Sequence, residues 1–250
     1  MSLKHRISYH SRKLARMAWY NIRYRLHGWK TIAGVQIPVR LSYGYPVLRF
    51  IDNGEYESCE ISIISQTLAD DDKVLELGTG IGFVSAYCAK RLGNDRVVSY
   101  EGNPDLKKLI QRTYKRNKVN PEQHITILAE ADGQAVFNQN KRSFLASHAG
   151  EGLSGTEVAM VPKRSLNKVI AEVKPTYLVM DIEGGEAQVF SIIDFQSIYK
   201  VQFELHPQIL SESEIENIFS KLAHAGFTRN DAFPFENNFY FTRDPKSLKR

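Results

Sequence analysis

The run Val74-Leu75-Glu76-Leu77-Gly78-Thr79-Gly80-Ile81-Gly82-Phe83 constrains this chain more than any other segment. An apolar stretch enters a turn carrying glycines at 78, 80 and 82, then leaves into a helix-compatible segment. Glycine has no Cβ, so such a turn bends sharply and lets the backbone approach a ligand closely. A second apolar stretch, Val97-Val98-Ser99-Tyr100-Glu101, ends in an acid 23 positions after Gly78. Strand, glycine turn, helix and acid-tipped strand make a βαβ unit whose acid can accept both hydroxyls of a ribose. The pattern predicts a nucleoside-containing ligand; a glycine turn that binds nothing is the bland alternative, and the acid in register counts against it.

The dinucleotide fingerprint keeps its last position small so that helix and strand pack closely. Here that position is Phe83. No Gly-Lys-Ser/Thr follows the turn, so a phosphate-cradling loop fails as well. With Glu76 two residues upstream, the G-x-G-x-G run resembles motif I of the class I S-adenosylmethionine-dependent methyltransferases. The resemblance makes Glu76, Gly78, Thr79, Gly80, Gly82 and Phe83 candidates for the cofactor at the turn. Glu101, Gly102 and Asn103 are candidates at the tip of the second strand. Asp132, favoured over Glu130, is the candidate for the adenine amine, and Glu57 either faces the methionine end or lies on the surface.

Hydrophobic content of 42% and charged content of 24% are those of a globular protein with a full core. Cys59 and Cys88 match no C-x-x-C pattern, which suggests a reduced compartment and no structural zinc. No apolar run approaches the roughly 18 residues of a membrane span, and no apolar segment follows the first charges as in a secretory signal. A cytoplasmic protein is therefore expected. Residues 1–30 hold eight Lys or Arg and no acid, so the +5 formal charge of the chain leaves the remaining residues at a net −3.

Residues 8–29 place Leu14, Met17, Ala18, Ile22, Leu26 and Trp29 at helical spacing with arginines between them, a basic amphipathic helix. It either packs on the body with a solvated charged face, contacts an anionic membrane or polyanion, or covers the substrate site. Ile32–Val39 and Tyr45–Ile51 read as short strands, with Pro38 implying an edge, and Asp52-Asn53-Gly54 as a turn. The N-terminal extension thus spans 1–53 and the main domain 54–250. Glu55 through Leu68 is expected to be helical, and from Lys73 strands and helices alternate. The expected strands are Val74–Leu77, Arg96–Tyr100, Ile125–Ala129, Gly133–Phe137, Tyr177–Met180, Val201–Leu205 and a final pair, Phe227–Arg229 and Asn238–Thr242. Residues 138–156 form a polar, glycine-containing loop, a candidate lid. Ser211 and Glu214 form a capping box for a helix ending near Gly226. Alternating elements imply an α/β fold with a mostly parallel sheet and helices on both faces.

Asp181-Ile182-Glu183-Gly184-Gly185-Glu186 follows one expected strand and Glu204-Leu205-His206-Pro207 closes the next. Buried carboxylates need partners, so acids at strand tips suit a cleft, where they bind hydroxyls, act as bases or hold a divalent cation. A solvated turn is the alternative, and for Glu186 it is preferred, at a helix N-terminus. Asp181, Glu183 and His206 are the candidate catalytic residues, the histidine being suited to removing a hydroxyl proton near neutral pH.

Over residues 54–228 the chain resembles the FkbM-type methyltransferases. The resemblance rests on Tyr177–Glu186 ending in D-x-E-G-x-E, on Ser165-Leu166 in the place of a short "T-L-D" helix, on the Glu204 strand and on Gly226-Phe227. The chain departs from it with Glu76, Thr79 and Gly80 where the family usually reads D-x-G-A-N-x-G, and with Gly102 where it usually reads E-P-N-P. The resemblance implies a Rossmann-like class I methyltransferase fold with a seven-stranded sheet and an antiparallel last strand. It also implies S-adenosylmethionine as cofactor and O-methylation of a sugar or other small hydroxylated molecule; a metal ion is not predicted. A nucleic-acid methyltransferase using the basic helix is opposed by the acidic body and the lack of an Asn/Asp-Pro-Pro-Tyr/Phe motif. A third reading is a non-catalytic protein on the same scaffold, held to anionic lipid by residues 1–30.

Overall fold

The computed structural model describes residues 3–26, 28–139, 148–149 and 157–245. Helix α1 (Leu3–Leu26) leads into a hairpin of β1 (Trp29–Ile32) and β2 (Val35–Pro38), then α2 (Gly44–Asn53) and α3 (Ser58–Thr67). The alternating part starts with β3 (Val74–Leu77), α4 (Phe83–Leu92), β4 (Val97–Glu101) and α5 (Lys107–Asn117). Strands β5 (Glu122–Ile125), β6 (Ile127–Ala129), β7 (Gly133–Gln139), β8 (His148–Ala149) and β9 (Glu157–Ser165) follow. The chain continues through α6 (Leu166–Val173), β10 (Tyr177–Met180), α7 (Glu186–Ile192) and β11 (Lys200–Glu204). It closes with α8 (Glu212–His224), β12 (Thr228–Arg229) and β13 (Asn238–Thr242).

The main sheet has seven strands in the order β12-β13-β11-β10-β3-β4-β5. All pairs are parallel except those made by β13, which runs antiparallel to β11 and β12. The order reverses at β3: the chain first builds outward through β4 to β5, then returns to lay β10 on the other side of β3. In such sheets ligands bind at this switch point, beyond the strand carboxyl ends. Register makes the ends level, since Leu77 pairs with both Tyr100 and Met180. The glycine turn, Glu101 and the Asp181–Glu186 segment therefore meet in space. At the opposite end, buried Asp72 ties the strands together: it accepts from Lys200 Nζ at 2.6 Å, from Thr176 Oγ1 at 2.9 Å and from the Ala69 N–H at 2.8 Å.

The central strands are buried on both faces, as a helix-covered parallel sheet requires. The N-terminal elements share their core with the alternating part: Tyr20, Tyr24, Ile37 and Ile51 belong to one apolar cluster with Ile63, Phe83 and Ile110. The capping box forms as expected, with the Ser211 and Glu214 side chains each bonding the other's backbone N–H.

Several element expectations are corrected. Tyr45–Ile51 is not a strand but most of α2, with Val47, Leu48 and Ile51 buried on one helical face and Gly54 closing it at φ +77°. A short apolar run does not distinguish the two by periodicity. Trp29 starts β1 instead of ending α1, and α3 begins at Ser58 because Glu57 takes a left-handed conformation, φ +48°. The expected strand Ile125–Ala129 is broken at Thr126, whose N–H donates to the Glu101 carbonyl at 2.8 Å. Its halves go to different sheets, β5 to the main one and β6 to a second sheet ordered β6-β9-β7-β8. Strand β9 was not expected, because its outer face carries the exposed Val158 and Met160 and Pro162 lies within it. Most of the candidate lid, residues 138–156, lies outside the described residues. No helix among the described residues is long and apolar enough to cross a membrane.

Candidate functional site

The three glycines of the turn do three different jobs. A Cβ at Gly78 would lie 1.6 Å from the Asp181 carbonyl oxygen, so only glycine lets the tips of β3 and β10 approach this closely. At Gly82, with φ +80°, a Cβ would press on Ile110 and Tyr114 at 3.1 Å, so this glycine seats α4 against α5. Gly80, φ +55°, instead lines the cleft: a Cβ there would make only ordinary contacts, 3.5 Å from the Tyr56 hydroxyl and 3.7 Å from the Glu57 carboxyl. The turn is pinned from beneath by the Gly78 N–H donating to the Tyr100 carbonyl at 2.9 Å.

Beside this opening, Glu101 ends β4 with its carboxylate held by main-chain donors. Oε2 accepts from the Gly80 N–H at 2.8 Å and Oε1 from the Asn103 N–H at 2.7 Å. Burial pushes the carboxyl up to about 7 although these N–H groups work against it. A cleft of about 470 Å³ opens here, lined by Glu101, Gly78 and Gly80 on one side and Asp181, Glu183 and Gly184 on the other. Its volume is that of a cofactor-sized site.

Not every expected cofactor residue faces the cleft. Glu76 is buried beneath the turn, where Oε1 accepts from the Ser85 N–H at 3.0 Å and anchors the start of α4. Burial raises its carboxyl to about 8. Thr79 points down to the Tyr100 carbonyl at 3.2 Å, Phe83 packs in the core against Tyr56, and Asn103 caps the turn that starts at Pro104. None of Glu76, Thr79, Gly82, Phe83 or Asn103 lines the cleft, whereas Gly78, Gly80, Glu101 and Gly102 do. Asp132 is exposed and bonded to Lys168 at 2.7 Å and to the Ser165 N–H at 2.7 Å, outside the cleft lining, and Glu130 is exposed too. A carboxylate that anchors a neighbouring helix start and one that faces a ligand look alike in a sequence.

The cleft's acidic wall is supported from behind. Asp181, Glu183 and the adjoining Gly184 come from the loop after β10, with Glu183 held at φ +52° in the left-handed region that costs a side-chain-bearing residue energy. His206 is buried and does not line the cleft. Its Nδ1 lies 2.9 Å from Glu186 Oε1, and its Nε2 lies 3.4 Å from Glu183 and 3.8 Å from Asp181. Burial alone would lower the imidazole's proton affinity, but the Glu186, Asp181 and Glu183 carboxylates overcome it and raise it to about 9. The imidazole thus bridges Glu186 on one side to the Glu183 and Asp181 pair on the other. Asp181 is pushed well above the usual carboxylate range by burial and by Glu204 and Glu183. Glu204 is raised to about 7 by burial and Glu60. Asp181, Glu204 and His206 bring one ligand atom each within 4.8 Å of one another, a donor set of the kind divalent cations use.

Sequence reasoning missed four contributors. The Tyr56 hydroxyl is buried beside the Glu57 carboxyl at the cleft. Ile127 and Phe137 come from the second sheet, and Phe137 sits so close to Gly102 that a Cβ there would meet the ring at 2.6 Å. Ile209, 57% exposed, covers Gly184 at the rim. Each lies on an element whose placement no local pattern encodes. Glu57 does face the cleft, and burial lifts its carboxyl well above the ordinary range.

A family model described as "Methyltransferase FkbM domain" matches residues 76–228. No match to a curated protein is found. Among solved structures, the ribosomal protein L11 methylase of Lactobacillus delbrueckii subsp. bulgaricus aligns over 77% of this chain and 81% of its own, with 13% identity and a TM-score of 0.47. A methyltransferase from Pyrococcus furiosus aligns over 93% and 98%, with 13% identity and a TM-score of 0.42. M. jannaschii TYW2, in complex with AdoMet, aligns over 86% of each chain, with 12% identity and a TM-score of 0.41.

Proposed function

Because the chain belongs to the FkbM methyltransferase family, which is S-adenosylmethionine-dependent, we propose that it methylates a hydroxyl of a sugar or another small hydroxylated metabolite. The observation that carries this reading is the single cleft shared by the Glu101 carboxylate, the open face of Gly80 and the Asp181–Glu183 wall. Its donor set fits the cofactor. Glu101 at the strand tip suits the ribose diol, and the apolar patch of Ile127, Leu128 and Phe137 beside Gly102 suits an adenine ring. The Tyr56 hydroxyl and the Glu57 carboxyl, side by side near Gly80, suit the carboxylate and ammonium of the amino-acid end. When bound, the cofactor supplies a methyl group already activated on a positively charged sulfur.

The chain's own residues then have to hold an acceptor hydroxyl in line and receive its proton. Asp181 and Glu183 supply hydrogen-bond acceptors at the cleft, and their raised proton affinity brings them nearer the pH at which they can take a proton. His206 orients both carboxylates from behind and balances their charge. Alignment of the acceptor contributes most of the rate, because the methyl group needs little further activation.

Calorimetric titration with S-adenosylhomocysteine, with NAD as control, tests the cofactor half. Micromolar binding to the wild type, silence with NAD and loss in Glu101→Ala are expected. Absence of binding to a folded wild type, or equal binding by the variant, would overturn it. A screen of sugars with labelled cofactor tests the acceptor half, and methylation of only non-hydroxyl acceptors would refute that part.

A further inference from the structure

Over residues 13–24, helix α1 buries only one side. Tyr20 and Tyr24 are in the core, Met17 packs against it, and the Tyr24 hydroxyl donates to Asp52 Oδ1 at 2.8 Å. At 3.6 residues per turn the opposite side of the helix carries Leu14, Ala15, Ala18, Trp19 and Ile22. Between Leu14 and Ile22 that side holds no charge, yet Leu14 is 71% exposed, Ile22 67% and Trp19 44%. A helix apolar on both sides is normally covered on both. Arg16 and Arg23 border the exposed stripe, and the Arg23 guanidinium lies 4.6 Å over the Trp19 ring.

We infer that this outer face of α1 docks the protein onto an anionic lipid surface. Charge selects the occupant: eight Lys or Arg and no acid lie in residues 1–30, against a net negative remainder. A second copy of the chain would set like charges against like. A nucleic acid would meet the basic border but leave Leu14, Ala18 and Ile22 uncovered. A bilayer interface satisfies both features, taking the apolar stripe into the acyl boundary while the arginines reach up to lipid phosphates. Trp19 sits where the apolar stripe meets the arginine border, the position in which tryptophan favours a membrane interface. The proposal is independent of methyl transfer.

Deleting the helix would strip Tyr20 and Tyr24 from the core, so surface substitutions are the proper test. The full chain is sedimented with vesicles of phosphatidylcholine plus phosphatidylglycerol, and with phosphatidylcholine alone. Leu14→Glu/Ile22→Glu is compared with the wild type at matched thermal stability. Binding to the anionic vesicles is expected, falling steeply with salt and weakening by roughly tenfold for each apolar side chain lost. In a Trp29→Phe background, Trp19 emission should shift to the blue only with anionic vesicles. Equal sedimentation with neutral vesicles, or none with either, overturns the proposal. So does a concentration-dependent dimer that the double variant dissociates, or salt-sensitive binding of an oligonucleotide without binding of vesicles.

Discussion

A methyl group added at residue 78 would meet the Asp181 carbonyl oxygen at 1.6 Å, in a backbone conformation (φ +88°) that already disfavours any side chain. Gly78→Ala must therefore push β3 and β10 apart at their ligand-binding ends. It is expected to cost on the order of 3 kcal/mol in a urea melt and to abolish S-adenosylhomocysteine binding; unchanged stability would show that the strand tips yield freely. The titratable residues carry a second expectation. Glu101 and Glu204 are both raised to about 7 in the folded protein. An acid with a raised folded pKa favours its protonated form, so the ligand-free protein loses stability as pH climbs from about 4.5 to about 7. His206, raised to about 9, contributes stability that is complete below about 6.5 and lost as pH rises through 9. The signs agree, so the melting temperature should fall steadily toward alkaline pH. Glu204→Gln, which removes the charge facing Glu60, should flatten the lower part of that fall and stabilise the protein at pH 8 by up to about 2 kcal/mol. Parallel pH curves for variant and wild type would disprove this origin.

Among the elements, the strand ends have divided labour: the carboxyl ends hold the cleft and the amino ends hold the sheet. Asp72, fully buried before β3, joins the loop at Ala69 to Thr176, Tyr199 and Lys200. Asp72→Ala leaves the Lys200 ammonium, 13% exposed, without its carboxylate and with only the Thr67 carbonyl to accept from it. A loss of about 3–5 kcal/mol is expected from chemical denaturation, with S-adenosylhomocysteine affinity unchanged in the fraction that stays folded, because the site lies at the far end of the strands. The elements that escaped sequence reading are those whose apolar pattern is short or inverted. Strand β9 turns Val158 and Met160 outward, and Tyr45–Ile51 is too brief for a period of two to be told from one of 3.6.

For the whole molecule, two apolar clusters lie on opposite faces of one sheet. One binds the N-terminal extension to α3, α4 and α5. The other joins α6, α7 and α8 around Phe190, Phe203 and Phe239. The cleft opens at the switch point between them and is walled by the second sheet through Phe137. The molecule thus presents an acidic pocket at one place and a basic, apolar helix face at another. This separation explains why its +5 charge describes neither surface.

The sequence by itself determined the βαβ unit, the glycines at 78, 80 and 82, the acid at 101 and the acids after β10. These follow from local needs: positive φ, close approach, and a polar segment that terminates an apolar strand. Only the tertiary structure decided which acids face the cleft. In a parallel sheet buried on both faces, alternation carries no signal of direction, so Glu76 under the turn could not be told from Glu101 beside it. Asp132 reads as a cleft acid until Lys168 is seen across from it. Tyr56 and Phe137 enter the site from a helix start and a second sheet, and their arrival depends on contacts between segments far apart in the chain. His206 reads as a base in the sequence, and only folding surrounds it with Asp181, Glu183 and Glu186, which raise its proton affinity.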